Sequence, residues 1–176
     1  MPIAWPTVEA ALVAWVETGS GLAGAVLMAQ QTAPQPPMPY ATVRLSGPRT
    51  GGAPWPRVYQ SYDPAQPTGQ EIAFQAVFDC EVTCSVQVYT ASPFGAGSAR
   101  ALMSQVRTSL GLDTVLFALR AAGLAVQAPG DIQDLSALLD TTWQGRAALD
   151  VIFGIAEDAT ERSGYVATVG VVNNVR

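Results

Sequence analysis

The sequence predicts an α+β fold in which a single mixed, mainly antiparallel β-sheet is flanked by helices. Two segments with alternating apolar and polar residues, 70–90 and 143–156, are expected to be its longest strands. Helical spacing of apolar residues at the N-terminus and again after residue 98 gives the order helix, strands, two helices, strands. No repeat or linker interrupts the chain, so residues 1–176 are expected to form one domain.

The first part of the chain begins with an amphipathic helix. Residues 3–18 place apolar side chains at helical spacing, and Gly19 is expected to end the helix. Two strands follow at 26–28 and 40–45. Because the prolines between them fix the backbone, that connection should be extended.

The segment from Ser46 to Gly69 is expected to be a long loop or hairpin rich in proline, glycine and aromatic residues, with one strand at 57–62. Tryptophan, tyrosine and arginine are over-represented at interface hot spots, so this segment is the best candidate for a binding surface. The alternative is a flexible loop with one aromatic side chain packed against the domain. With one tyrosine near the C-terminus, the candidate interface residues are Arg49, Trp55, Arg57, Tyr59, Tyr62 and Tyr165.

The strand at 70–90 should have one core face and one polar face. Val82, Cys84 and Val86 alternate with polar residues. Four strand residues span about 13 Å, so Cys80 and Cys84 lie too far apart for a disulfide. Both are expected to be buried thiols.

The second half of the chain predicts two helices and three strands. Ser98 is expected to cap a helix that reaches about Leu110. Asp113 is expected to cap the next helix, which Gly123 closes. The strands predicted after them are 124–126, 143–156 and 165–172.

The charged residues exclude several kinds of chemistry. All nine basic residues are arginine, and fourteen acids give a net charge of −5. Without histidine there is no imidazole base or metal ligand, and without lysine there is no Schiff base or phosphate-loop lysine. An acidic chain also lacks the basic stripe that binds DNA tightly. We therefore expect no enzyme, no cofactor and no bound metal.

The surface is expected to be buried against other proteins. The chain is 49% hydrophobic and 13% charged, about half the usual charged share of roughly 25%. Large apolar patches generally mark contact sites. No leader-like or membrane-spanning run is visible, so an intracellular origin is expected.

Two glycine-rich patterns could suggest phosphate binding. Residues 19–24 match GxGxxG, but a dinucleotide site needs a strand before the pattern and a helix after it, whereas here the order is reversed. Residues 95–100 could hold an anion at a helix N-terminus. The simpler interpretation is that the glycines at 19–24 end a helix and that residues 95–100 form a tight turn with Ser98 as the helix cap.

Two pairs of acids could serve as a general acid and base, Asp131 with Asp134 and Glu157 with Asp158. Acids are also ordinary in turns and near helix starts. A hydrolase that uses carboxylates alone is thus kept only as a remote alternative.

Three stretches, in this order, resemble the neck or tail terminator proteins of tailed bacteriophages. They are residues 30–34 with 39–45, residues 82–89 with the helix from Ala99, and residues 119–124 through 134–139 to 143–151. Together they cover most of the chain. In that family an acid often follows the tryptophan, where this chain has Gln144 after Trp143; the salt bridge that such an acid would make to Arg146 is therefore not expected.

The resemblance implies a structural virion protein that forms a hexameric ring on the head-proximal end of the tail tube. Such a ring stops tube growth and binds a head-completion or connector protein, while DNA passes through its lumen without specific binding. It implies a place in the neck of the virion, and the host cytoplasm during assembly. The main alternative is another head–tail connector or tail-completion component.

Overall fold

Two long antiparallel strands run side by side through the centre of the fold. The computed structural model describes residues 3–29, 34–50, 55–139 and 142–164. The helices and strands are α1 Trp5–Ser20, β1 Val26–Met28, β2 Tyr40–Thr50, β3 Arg57–Tyr62, β4 Ile72–Thr90, α2 Ala99–Ser109, α3 Asp113–Ala121, β5 Ala125–Pro129, β6 Gln133–Asp134, β7 Ala137–Leu139 and β8 Thr142–Ser163. The α+β class predicted from the sequence is confirmed.

Strands β4 and β8 are the central pair. They pair without a register shift from Ile72 opposite Ser163 to Thr90 opposite Gly145. Strand β4 pairs on its other side with β2 along one part of its length and with β3 along another. Strand β8 pairs on its other side with three short strands in turn, β5, β6 and β7. Strand β1 pairs in parallel with β2, so the sheet is mixed but mainly antiparallel.

One face of the sheet carries the core. Apolar side chains directly opposite each other on β4 and β8, such as Val82 with Phe153 and Cys84 with Val151, are fully buried. We call this the helix-side face. The alternate residues, such as Ser85 and Asp150, point to the other face, which we call the open face. The sequence predicted this division into a core face and a polar face.

Helix α1 reaches the core through Trp15. Its ring meets the ring of Phe153 edge to face at 5.9 Å, and its indole Nε1 donates a hydrogen bond to the Ser109 hydroxyl at 3.0 Å. Gly19 lies where α1 crosses α2: a Cβ there would come within 2.9 Å of the Val106 Cα. The crossing therefore requires glycine at this position.

The glycine-rich pattern at 19–24 ends helix α1. Gly21 takes the left-handed conformation at the C-cap, with φ of 72°, and its N–H donates to the Glu17 carbonyl. At the second pattern, Gly95 also has a positive φ and accepts a hydrogen bond from the Ser98 N–H. Ser98 then caps α2 by accepting from the Ala101 N–H at 3.3 Å, as the sequence predicted.

Two predicted elements differ in the structure, and a third lies among residues that it does not describe. The N-cap of α3 is Leu112, and Asp113 lies inside the first turn, where its charge suits the helix dipole. Strand β8 continues to Ser163, so Glu157 and Asp158 lie within a strand, because its pairing with β4 extends that far. The strand predicted at 165–172 lies outside the described residues.

Two parts of the segment 46–69 lie in the sheet. Residues 46–50 continue β2 along β4, and β3 follows the same edge of β4, with Arg57 opposite Val77 and Tyr62 opposite Ile72. The expected strand at 57–62 is present and forms a hairpin with β4, with residues 63–71 as the connection.

Candidate assembly surface

One end of the sheet extends as a three-stranded ribbon. It consists of β3, residues 72–79 of β4 and residues 156–163 of β8, and we call it the arm. No residue of the arm is buried, whereas β4 and β8 alternate between buried and partly buried positions once they lie under the helices. Eight strand residues make the arm about 25 Å long.

The two faces of the arm differ in chemistry. On its helix-side face lie mostly apolar side chains, and those with large exposed area are Val58, Tyr62 and Phe78. On its open face lie Arg57 and Tyr59. The predicted interface residues of β3 are thus divided between two faces.

Two ion pairs join the arm and the adjoining part of β2 to β4. Arg49 Nη2 lies 3.1 Å from a carboxylate oxygen of Glu81, its direct cross-strand partner. Arg57 Nη2 lies 2.6 Å from a carboxylate oxygen of Asp79. All four side chains are partly or largely exposed, so such pairs contribute roughly 0–1 kcal/mol each.

The structure brings five of the six predicted interface residues to one edge of the sheet. Arg49 lies near the end of β2, Trp55 lies two residues before β3, and Arg57, Tyr59 and Tyr62 lie on β3. Trp55 is 81% exposed and Tyr59 51%. Tyr165 lies outside the described residues.

A cluster of aromatic and basic side chains on the open face was not predicted from the sequence. The rings of Tyr40 and Tyr89 stack at 4.7 Å, and the Arg146 guanidinium lies 5.3 Å from the Tyr89 ring centre. Arg146 also donates to Gln87 Oε1 at 2.7 Å. The three residues lie directly opposite one another on β2, β4 and β8, so only the pairing of these strands brings them together.

A second apolar surface lies at the other end of β8. Leu138 on β7 is directly opposite Trp143 on β8, and both side chains are more than half exposed. We call this pair the hairpin tip. Strand β8 spans roughly 70 Å at about 3.3 Å per residue, so the arm and the hairpin tip mark opposite ends of the sheet.

Three of the four acids of the two predicted pairs lie on strands, Asp134 on β6 and Glu157 and Asp158 on β8. Glu157 and Asp158 are neighbours on β8, so their side chains point to opposite faces. The Ser136 hydroxyl and N–H bind Asp134 and hold the pKa of its carboxyl below the usual value, whereas a general acid at neutral pH needs a raised pKa. Among the described residues, no group of three potential metal ligands comes together.

The cysteines are protected thiols. Both lie on the helix-side face and neither is in a disulfide. Burial raises the pKa of Cys84 to about 12, with a smaller contribution from the Asp150 charge. Burial also raises the pKa of Cys80, helped by Glu157 and Asp79. Neither thiol has the lowered pKa of a nucleophile.

No helix in the described part of the chain is long and apolar enough to cross a membrane.

Comparisons with known proteins found a matching family model and a similar solved structure. A family model described as phage neck terminator protein matches residues 7–175. Among solved structures, the chain is similar to a chain from the virion of a native gene transfer agent particle, with 16% sequence identity and a TM-score of 0.37 over 86% of this chain and 92% of that one. No curated protein matches.

Proposed function

The chain belongs to the phage neck terminator family, and on that premise we propose that it forms a hexameric ring that caps the tail tube and joins it to a head-completion or connector protein. The observation that carries this proposal is the family match, which spans residues 7–175. The chain is a structural component of the phage neck, and the cap, the ring and the joining role are the proposed part.

The arm supports a function in assembly. Among the described residues no strand covers its outer backbone edges, and exposed strand edges readily pair with other chains. A protein that stays alone usually protects such edges with prolines, charges or a covering element. A ring subunit instead needs them for contact with its neighbours.

The two ends of the sheet support contact with two different partners. The arm and the hairpin tip lie at opposite ends of β8, and each presents exposed aromatic side chains. A terminator must bind the tube on one side and the head-proximal proteins on the other. The separation of these two surfaces fits that requirement.

The charge balance supports a lumen that lets DNA pass. Binding to DNA is driven by basic side chains that displace counterions from phosphates. This chain carries fourteen acids against nine arginines, and two of those arginines, Arg49 and Arg57, are paired with acids. We therefore propose that DNA passes without specific binding.

Tail tubes assembled without this protein provide the test. Purified protein added to them should appear in electron micrographs as a ring at one end and should stop further growth of the tube. Bare tubes incubated in buffer are the control. A protein that remains monomeric and leaves the tube ends bare and growing would contradict the proposal.

The same experiment separates the main alternative. Heads that lack the neck proteins are offered together with the bare tubes. A terminator binds the tubes without heads, whereas another head–tail connector binds the heads and leaves the tubes bare.

A further inference from the structure

The arm has two free backbone edges, one on each side. Among the described residues, no strand pairs with the outer edge of β3, and none pairs with the outer edge of β8 beyond Gly154. These two edges lie on opposite sides of the same three-stranded ribbon. We call them the β3 edge and the β8 edge.

The hydrogen-bond pattern shows which backbone groups point outward on the β3 edge. The Asp63 N–H donates to the Glu71 carbonyl. By the alternation of an antiparallel pair, the backbone N–H and C=O groups of the odd-numbered residues of β3 point toward β4. The N–H groups of the even-numbered residues, including Gln60, therefore point away from the sheet.

On β8 the backbone N–H and C=O groups of the even-numbered residues point away from β4. The Asp150 carbonyl accepts from the Gly130 N–H, and the Arg146 carbonyl accepts from the Leu135 N–H, both on the side away from β4. Because β8 pairs with β4 without a register shift, the same alternation places the backbone groups of Thr160 on the β8 edge.

The two edges differ in charge. The β3 strand contains no acid, and its one arginine, Arg57, is paired with Asp79 on β4. Residues 155–163 contain three acids, Glu157, Asp158 and Glu161, and one arginine, Arg162. Two β8 edges would therefore bring like charges together, whereas the β3 edge presents no acid to a β8 edge.

From these observations we infer that the β3 edge of one copy pairs with the β8 edge of the next copy, so that the arms join into a continuous closed sheet. The occupant of each edge is a second copy of this chain. Such a contact uses two different surfaces and is head to tail, which is the type that closes into rings. The inference rests on the ring proposed above and specifies how it closes.

The pairing between copies is parallel. Strands β3 and β8 both run antiparallel to β4, so they point in the same direction. Rotation about an axis along the strands keeps that direction, so β8 of one copy meets β3 of the next in parallel. Separate chains can pair in this way because no crossover connection is needed.

Crosslinking on tail tubes tests this contact. Ser61 and Thr160 both lie on the open face, one on each outer strand of the arm. The double variant Ser61→Cys/Thr160→Cys, treated with a flexible bismaleimide, should give a ladder of covalent multimers on a denaturing gel. The linker tolerates a register shift of two residues, about 7 Å.

Three control proteins sharpen the crosslinking experiment. Each single variant should stay monomeric, because a head-to-tail contact places only one cysteine at each junction. Dimers from a single variant would show that like edges meet and would overturn the inference. The wild-type protein should not react, because Cys80 and Cys84 are buried.

Proline tests the backbone directly. Gln60→Pro removes an N–H that points away from β4, so the pairing within the arm is kept while pairing to a second copy is lost. Ring formation should fall at least tenfold relative to the matched variant Gln60→Ala, with an unchanged far-UV circular dichroism spectrum. Thr160→Pro should have the same effect from the β8 edge.

The outcomes separate this inference from the proposed function. Rings on tube ends without a crosslinked ladder, or rings that form equally well with Gln60→Pro, would overturn the edge pairing and leave the terminator function standing. An occupant of another kind, such as residues 165–176 of the same chain, would give that result. The absence of both rings and ladder would overturn both proposals.

Discussion

The two cysteines lie on one face of the same strand, yet their surroundings differ along it. Cys84 lies under the helices with no exposed area, whereas Cys80 lies near the start of the arm and is 7% exposed. Burial in an apolar environment disfavours the charged thiolate, so it raises the pKa of each thiol. The position of a residue relative to the helix layer therefore sets its reactivity.

Stability at high pH should depend on Cys84. Above pH 9.0 the thiol of the unfolded chain loses its proton, while the folded chain keeps its proton up to about pH 12. The unfolded state then binds fewer protons, so the free energy of unfolding falls by up to about 1.4 kcal/mol per pH unit in that range. Urea unfolding at pH 8 to 10.5 should show a shallower loss for Cys84→Val. Equal slopes would mean that the thiol is accessible.

The exposed aromatic residues at the arm should matter for assembly and not for folding. Trp55→Ala and Tyr59→Ala remove exposed side chains, so each should change the free energy of unfolding by less than about 0.5 kcal/mol. Binding to tail tubes, measured by co-sedimentation, should weaken at least tenfold. Phe117→Ala removes a 65% exposed ring from α3 and is the matched control. A loss of thermal stability in the arm variants would place their rings in the core.

At the level of elements, the crossing of α1 and α2 depends on one small residue. Gly19 faces Val106 and Ser109, and Ser109 is also the acceptor for the Trp15 indole. A side chain at position 19 would separate the helices and disturb that hydrogen bond. The helix layer is thus fixed by close backbone contact as well as by apolar burial.

Gly19→Ala should destabilise the fold although alanine favours helix. The added Cβ would lie 2.7 Å from the Ser109 Oγ, and overpacking of this kind costs about 1–3 kcal/mol. Helix propensity returns at most about 1 kcal/mol, so chemical denaturation should show a net loss of about 1–2 kcal/mol. Gly97→Ala adds its Cβ to open space and should be neutral. A neutral Gly19→Ala would show that the two helices can shift without cost.

In the whole molecule, strands β4 and β8 run through two parts that differ in cover. One part lies under the helices, and we call it the body; the other is the arm, which the helices leave uncovered. Under the helices, β4 and β8 bury every second side chain, whereas in the arm they bury none. Apolar burial supplies most of the stability of a domain. In a single copy the arm therefore depends mainly on backbone pairing for its stability.

Hydrogen exchange should separate the two parts. Amides of residues 73–78 should exchange about 100-fold faster than those of residues 83–88, because local opening of the arm exposes little apolar surface. Mass spectrometry of the free protein provides the measurement. Uniform protection along β4 would show that the arm is as stable as the body in a single copy.

The sequence determined the local structure of this protein. Alternation along residues 82–88 predicts a strand with one buried face, and apolar spacing predicts helix α1 because both patterns repeat over short distances. The lack of histidine and lysine excludes imidazole bases, Schiff bases and phosphate-loop lysines, and it is visible in the sequence alone. The resemblance to neck terminators also comes from the residues alone, and the family match confirms it.

The tertiary structure decided how far the strands extend and what lies beside them. Proline and glycine in residues 46–69 predict a long loop or hairpin, and the length of β4 decides that residues 46–50 and 57–62 both pair along its edge. The same long-range pairing extends β8 to Ser163 and brings Tyr40, Tyr89 and Arg146 together. Partners distant in the sequence set these features, so no short stretch predicts them. The two edges of the arm, which no described strand covers, belong to this class, since a strand is an edge only when its neighbours in the sheet are known.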